Sequence, residues 1–191
     1  MVVASTLLWI VTQGFPSASV VADTACPTHS TYPVEGRPSP RDSITFMIAG
    51  KPMKVCYGRP SARGRTMIGG NDVPYGELWR TGANEPTTIF TPIDLSIAGL
   101  AVPAGKYSLY TVPGEKEWEI VINHAVLESG HVMWYTDKVK AQELGLAKVK
   151  SEPRNEPLET FTISAEPSGG NAKAVVLEWE RTRVPIPISA R

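Results

Sequence analysis

Tyr107-Ser108-Leu109-Tyr110-Thr111-Val112-Pro113-Gly114-Glu115-Lys116-Glu117-Trp118-Glu119-Ile120-Val121-Ile122-Asn123 is the stretch whose reading decides the fold class. Proline presets φ and glycine tolerates positive φ, so residues 113–116 read as a hairpin turn. After the turn Trp118, Ile120 and Ile122 alternate with Glu117, Glu119, Val121 and Asn123. A half-buried strand sends every second side chain to the core, so this spacing predicts two antiparallel strands.

The same period of two recurs outward from the hairpin. Ile93, Leu95 and Ile97 alternate with Asp94, Ser96 and Ala98, and Phe161, Ile163 and Ala165 alternate with Thr160, Thr162 and Ser164. Val175, Leu177 and Trp179 face Val176, Glu178 and Glu180 in the same way. Gly and Pro punctuation between short alternating runs predicts an all-β, antiparallel β-sandwich of jelly-roll or Greek-key type with about ten strands. Val184-Pro185-Ile186-Pro187-Ile188 lacks the N–H donor at alternate positions and reads as an edge strand. Residues 137–146 carry the one helical pattern, with Asp137 as N-cap and Gly145 near the end.

Composition bounds the function classes. The chain has 191 residues, 19 basic and 19 acidic, and no formal net charge, so it lacks the electrostatic footprint of a nucleic-acid coat. Seventeen prolines and sixteen glycines exclude long helical bundles. Residues 1–22 contain no charge and begin with an apolar run around Leu7-Leu8-Trp9-Ile10-Val11, which reads as a secretory signal without the usual basic start. No later apolar run reaches the ~20 residues that span a bilayer. The expected location is therefore exported: periplasmic, cell-surface or extracellular. Residues 23–43, with Pro27, Pro33, Pro38 and Pro40, read as a flexible stalk, and residues 44–191 as a single sandwich domain. Cys26 and Cys56 are the two cysteines, and three fates stay open: a lipid anchor at Cys26, a disulfide, or two free thiols.

The middle of the chain is not strand-like. Tyr57-Gly58-Arg59-Pro60-Ser61-Ala62-Arg63-Gly64-Arg65 and Val73-Pro74-Tyr75-Gly76-Glu77-Leu78-Trp79-Arg80-Thr81-Gly82-Ala83-Asn84-Glu85 form a long Gly- and Arg-rich excursion. Loops of that length in a compact domain are usually functional or packed as lids. With Pro103-Ala104-Gly105-Lys106-Tyr107-Ser108-Leu109-Tyr110 and Trp179-Glu180-Arg181-Thr182-Arg183-Val184-Pro185, these segments resemble the DUF2911 family of bacterial secreted and lipid-anchored proteins over roughly residues 40–188. The resemblance implies an exported β-sandwich and supplies no reaction. A longer connection over 124–157 departs from the commoner family pattern.

Candidate site residues follow from side-chain chemistry. Arg59, Arg63, Arg65 and Arg80 are planar forks suited to carboxylate, phosphate or sulfate, or to latching the loop onto Asp72, Glu77 or Glu85. Trp79, Tyr107 and Tyr110 are candidates for an aromatic ligand platform or for the core. Asn84 and Glu85 are expected to organise the site with Arg80. The leading expectation is a non-catalytic binding module for a small anionic or carbohydrate ligand, without cofactor. One alternative is a hydrolase using Glu77 and Glu85 as paired carboxylates across a cleft. A weaker one is a copper or zinc protein drawing on Cys56, His124, His131 and Met133. No serine-hydrolase elbow, phosphate loop or zinc-protease motif occurs.

Overall fold

The computed structural model describes residues 24–28, 33–126 and 135–191. The apolar N-terminus read as a signal lies outside the described residues. Two antiparallel sheets face each other, as the alternation predicts. The first has the order β1-β2-β3-β6-β7-β8, from β1 (Arg41–Ile48), β2 (Lys51–Gly58), β3 (Thr87–Thr91), β6 (Gly105–Val112), β7 (Glu117–Asn123) and β8 (Glu143–Lys150). The second has the order β5-β4-β10-β9, from β4 (Leu95–Ile97), β5 (Leu100–Val102), β9 (Glu152–Pro167) and β10 (Lys173–Ala190). No helix among the described residues is long and apolar enough to cross a membrane.

The core is the set of residues that period two assigns to the inward faces. Val55, Ile89, Leu109, Ile120 and Ile122 from the first sheet meet Ile97, Phe161, Ile163, Val175 and Leu177 from the second. Trp79 sits at the centre of an aromatic cluster, stacked on Trp179 with ring centroids 5.9 Å apart and edge-on to Phe161 and Trp118. Such pairs contribute about 0.5–1.5 kcal/mol each beyond area burial.

The outward face of the six-stranded sheet is also covered. Cys56, Thr88, Ser108 and Asn123 lie in register across four strands and are all buried. Ser108 Oγ donates to Ala125 O (2.7 Å), and Asn123 Nδ2 donates to Val139 O (2.7 Å). Ala125 and Val139 are thereby held against the outward face of the sheet. Val139 belongs to α1 (Asp137–Lys140), a single turn capped by Thr136.

Two local expectations are corrected. The helix over 137–146 ends at Lys140, because residues 143–150 pair with β7, Trp118 opposite Val149 and Glu119 opposite Lys148. Long-range ladder bonds outweigh the weak helical preference there. The Val184–Ile188 segment is not on an edge, since β10 lies between β4 and β9. Its pairing with β9 ends at Arg183 and its pairing with β4 begins at Ile188. The prolines occupy this change of partner, where the missing donors are not needed.

Cys26 and Cys56 form a disulfide, with Cα atoms 5.7 Å apart. This selects one of the three fates and removes the lipid anchor at Cys26, because a sulfur in this bond cannot also carry a thioether-linked lipid. The bond holds the segment read as a stalk against β2. Further along that segment, Arg37 Nε donates to Pro33 O (2.6 Å), while Pro38 O and Ser39 O accept from Arg63 Nη2 (2.9 Å) and Asn84 Nδ2 (3.2 Å).

Candidate functional site

The loop between β2 and β3 leaves one sheet, touches the other and returns. Ser61 bridges Thr160 of β9, with Ala62 N–H donating to Glu159 O (2.9 Å) and Phe161 N–H to Pro60 O (2.8 Å). The second half runs back along β6, where Trp79 and Thr111 exchange both backbone hydrogen bonds (2.7 and 2.9 Å). That rung sends the Trp79 indole into the core. Arg80 follows, near enough to Tyr110 for its charge to act on that hydroxyl.

Backbone strain concentrates in residues 81–84. Thr81, β-branched and fully buried, has φ 57°, and Asn84 has φ 65°. Such conformations cost about 1–3 kcal/mol and persist only where surroundings over-determine them. Here the surroundings are hydroxyls: Thr81 Oγ1 lies 3.1 Å from Thr111 Oγ1, and Thr87 Oγ1 donates to Thr81 O (2.6 Å). Gly58 is required below the loop, since a Cβ on it would stand 2.1 Å from Ala83 O.

The arginines do not converge into one basic pocket. Arg59 pairs with Asp42 (3.2 Å) and reaches Thr162 Oγ1 (3.3 Å). Arg63 holds Pro38 O, and its own N–H donates to Glu159 Oε1 (2.7 Å). Arg65 pairs with Asp72 (2.9 Å) and donates to Ala62 O and Ser61 O. These three latch the first half of the loop. Arg80 differs: its guanidinium makes no hydrogen bond or ion pair among the described residues.

Arg65, Trp79 and Arg80 are brought to one cleft of about 180 Å³, with Trp79 and Trp179 in its lining and Pro60, Met67, Asp72 and Val73 around them. Arg65 also borders an adjoining open groove of about 420 Å³ lined by Thr66, Leu158 and Glu180. Glu180, at φ 50°, turns its carboxylate onto the loop and accepts from Met67 N–H (3.1 Å) and Ile68 N–H (2.8 Å).

Glu85 lies away from this cleft, at an ion cluster. Arg37 Nη1 donates to both of its oxygens (3.0 and 2.8 Å), and Arg41 Nη1 lies 3.1 Å from Oε2. Arg37 and Arg41 are the residues that sequence reasoning missed, both placed in the stalk segment. Their one sequence signal was two arginines beside prolines at the entry to the first strand. Asn84 joins Ser39, and Tyr107 lies in the core with its ring 5.1 Å from His124. Tyr110 packs edge-on against Tyr135 at 4.7 Å, and burial pushes its hydroxyl up to about 12 against the opposing pull of Arg80. Burial and a hydrogen bond to Glu143 Oε1 (2.5 Å) raise Tyr135 as well.

The paired-carboxylate arrangement is not formed, because Glu85 is enclosed by two guanidinium groups while Glu77 stands exposed. The copper reading loses its thiolate, since the Cys56 sulfur is in the disulfide. His131 and Met133 lie outside the described residues. Neither a curated protein nor a solved structure matches the chain. A family model does, over residues 39–188, a span that takes in both halves of the loop, Arg41 and Glu85 of the ion cluster, and nearly all of the sandwich. The chain therefore belongs to the DUF2911 family, whose description is a protein of unknown function.

Proposed function

We propose that this is an exported, non-catalytic binding module whose cleft between the two halves of the 59–86 loop takes a small anionic ligand, acidic sugars included. The observation that carries the reading is Arg80. Of the four arginines of this loop it alone has no acceptor among the described residues, and it lines the same cleft as Arg65 and two indoles. A guanidinium without a carboxylate partner is matched to an oxyanion, and the indoles supply the apolar surface that ligand sites commonly show. Export is supported by the disulfide and by the uncharged, apolar run at the N-terminus.

The test is a thermal-shift titration with sulfate, citrate and glucuronate, followed with Arg80→Ala. A ligand that binds the native state must raise Tm. The variant is expected to fold with nearly unchanged Tm and to lose the ligand-induced rise. A rise retained in Arg80→Ala, or none with any acidic probe, rejects the reading.

A further inference from the structure

The open groove of about 420 Å³ shares Arg65 with the cleft of about 180 Å³ that Arg80 lines. The cleft alone is smaller than the ~300–1,000 Å³ usual for ligand sites, and the groove brings the pair into that range. One carbonyl ties the two together. Glu159 O, on the groove side, accepts from Ala62 N–H (2.9 Å) and from Trp179 Nε1 of the cleft (3.0 Å).

The polar groups of the groove divide into those spent on the fold and those left over. Glu180 gives both carboxylate oxygens to Met67 and Ile68 N–H, and Arg65 gives all three guanidinium nitrogens to Asp72, Ala62 and Ser61. Glu159 accepts from Arg63 N–H with Oε1 (2.7 Å), and its Oε2 is unengaged among the described residues. Arg181 donates from Nη1 to Asn155 O (2.5 Å), and its Nε and Nη2 are unengaged in the same sense. Both side chains are exposed. The groove therefore offers free acceptors and free donors together, beside the apolar surface of Ala62 and Leu158.

A second acidic group is a poor match there, because it would meet the Glu159 carboxylate. A sugar hydroxyl both donates and accepts, so a neutral ring suits Glu159 Oε2 and Arg181 alike, with its C–H face against the apolar residues. We propose, building on the anion at Arg80, that the ligand is an acidic oligosaccharide whose uronate lies in the cleft and whose next, neutral sugar lies in the groove between Glu159 and Arg181.

The test is calorimetric titration of the full chain with glucuronate and with cellobiouronate, in which glucuronate is linked to one glucose. Cellobiouronate is expected to bind about tenfold tighter or more, since it adds contacts without adding charge. Arg181→Ala, a substitution at an exposed position, should bring the ratio of the two affinities close to one. Equal affinities in the wild-type protein, or a gain that survives Arg181→Ala, overturn the inference and leave the cleft reading standing. A gain at least as large for glutamyl-serine over glutamate assigns the groove to a peptide and overturns it too. Binding of sulfate or citrate with neither sugar acid rejects the sugar class alone, whereas no binding of any acidic probe rejects the cleft reading itself.

Discussion

Arg37 and Glu85, 48 positions apart, meet in a buried contact in which the one nitrogen Nη1 donates to both carboxylate oxygens, at 3.0 and 2.8 Å. One residue comes from the proline-rich segment before the first strand and the other from the end of the loop that carries Trp79 and Arg80. Breaking such a pair leaves a buried charge uncompensated, which costs about 3–5 kcal/mol, far more than the net contribution of the intact pair. Glu85→Gln, which removes the carboxylate shared by Arg37 and Arg41, is therefore expected to lower unfolding stability by about that amount. Arg37→Met, which leaves Arg41 3.1 Å from Glu85, should cost less. Chemical denaturation of the three proteins measures both.

Glu180 latches the other half of the loop. Its carboxylate accepts two backbone N–H bonds from Met67 and Ile68, and it does so from the left-handed region at φ 50°. Glu180→Ala should cost about 1–3 kcal/mol, because two part-buried donors lose their acceptor. Glu180→Gln, which keeps one acceptor oxygen, should cost less. Proteolysis within residues 59–72 should accelerate in the alanine variant before global unfolding does.

The Cys26–Cys56 disulfide closes a stretch of 30 positions and fixes the N-terminal segment on the covered face of the first sheet. Cys26→Ser with Cys56→Ser should lower stability by about 2–5 kcal/mol. The wild-type protein in excess dithiothreitol should approach the double variant, and its Tm without reductant should be the higher of the two.

Tyr110 predicts an alkaline limit. Its hydroxyl is pushed up to about 12 in the folded protein, against about 10 in an unfolded chain. A group whose folded pKa is raised contributes stability that is fully present below the unfolded value and is lost as pH rises through the folded one. Stability should therefore fall between about pH 10 and 12, by roughly 2–3 kcal/mol from this residue. Tyr110→Phe should fall less steeply over that window in a Tm profile against pH. An identical slope in both proteins would refute the assignment.

The reach of the sequence ends where contacts become long-range. Trp118, Ile120 and Ile122, or Val175, Leu177 and Trp179, report their face through their nearest neighbours, since a strand has a period of two. Residues 143–150 show where local signals fail. Glu143-Leu144-Gly145-Leu146 follows a capped turn and has a helical composition, yet the β7 ladder claims it.

By itself, then, the amino-acid sequence determined two antiparallel sheets, their inward faces, the hairpin at 113–116 and the long Arg-rich loop, because each is encoded in spacings of a few residues. Only the tertiary structure decided that Cys26 bonds Cys56, that Arg59, Arg63 and Arg65 are latched while Arg80 is not, and that Glu85 belongs to Arg37 and Arg41. Those pairings join residues tens of positions apart in the chain. Charge and hydrogen-bond chemistry give every arginine the same appetite for an acceptor, and only the packing of the sheets determines which acceptor lies within reach.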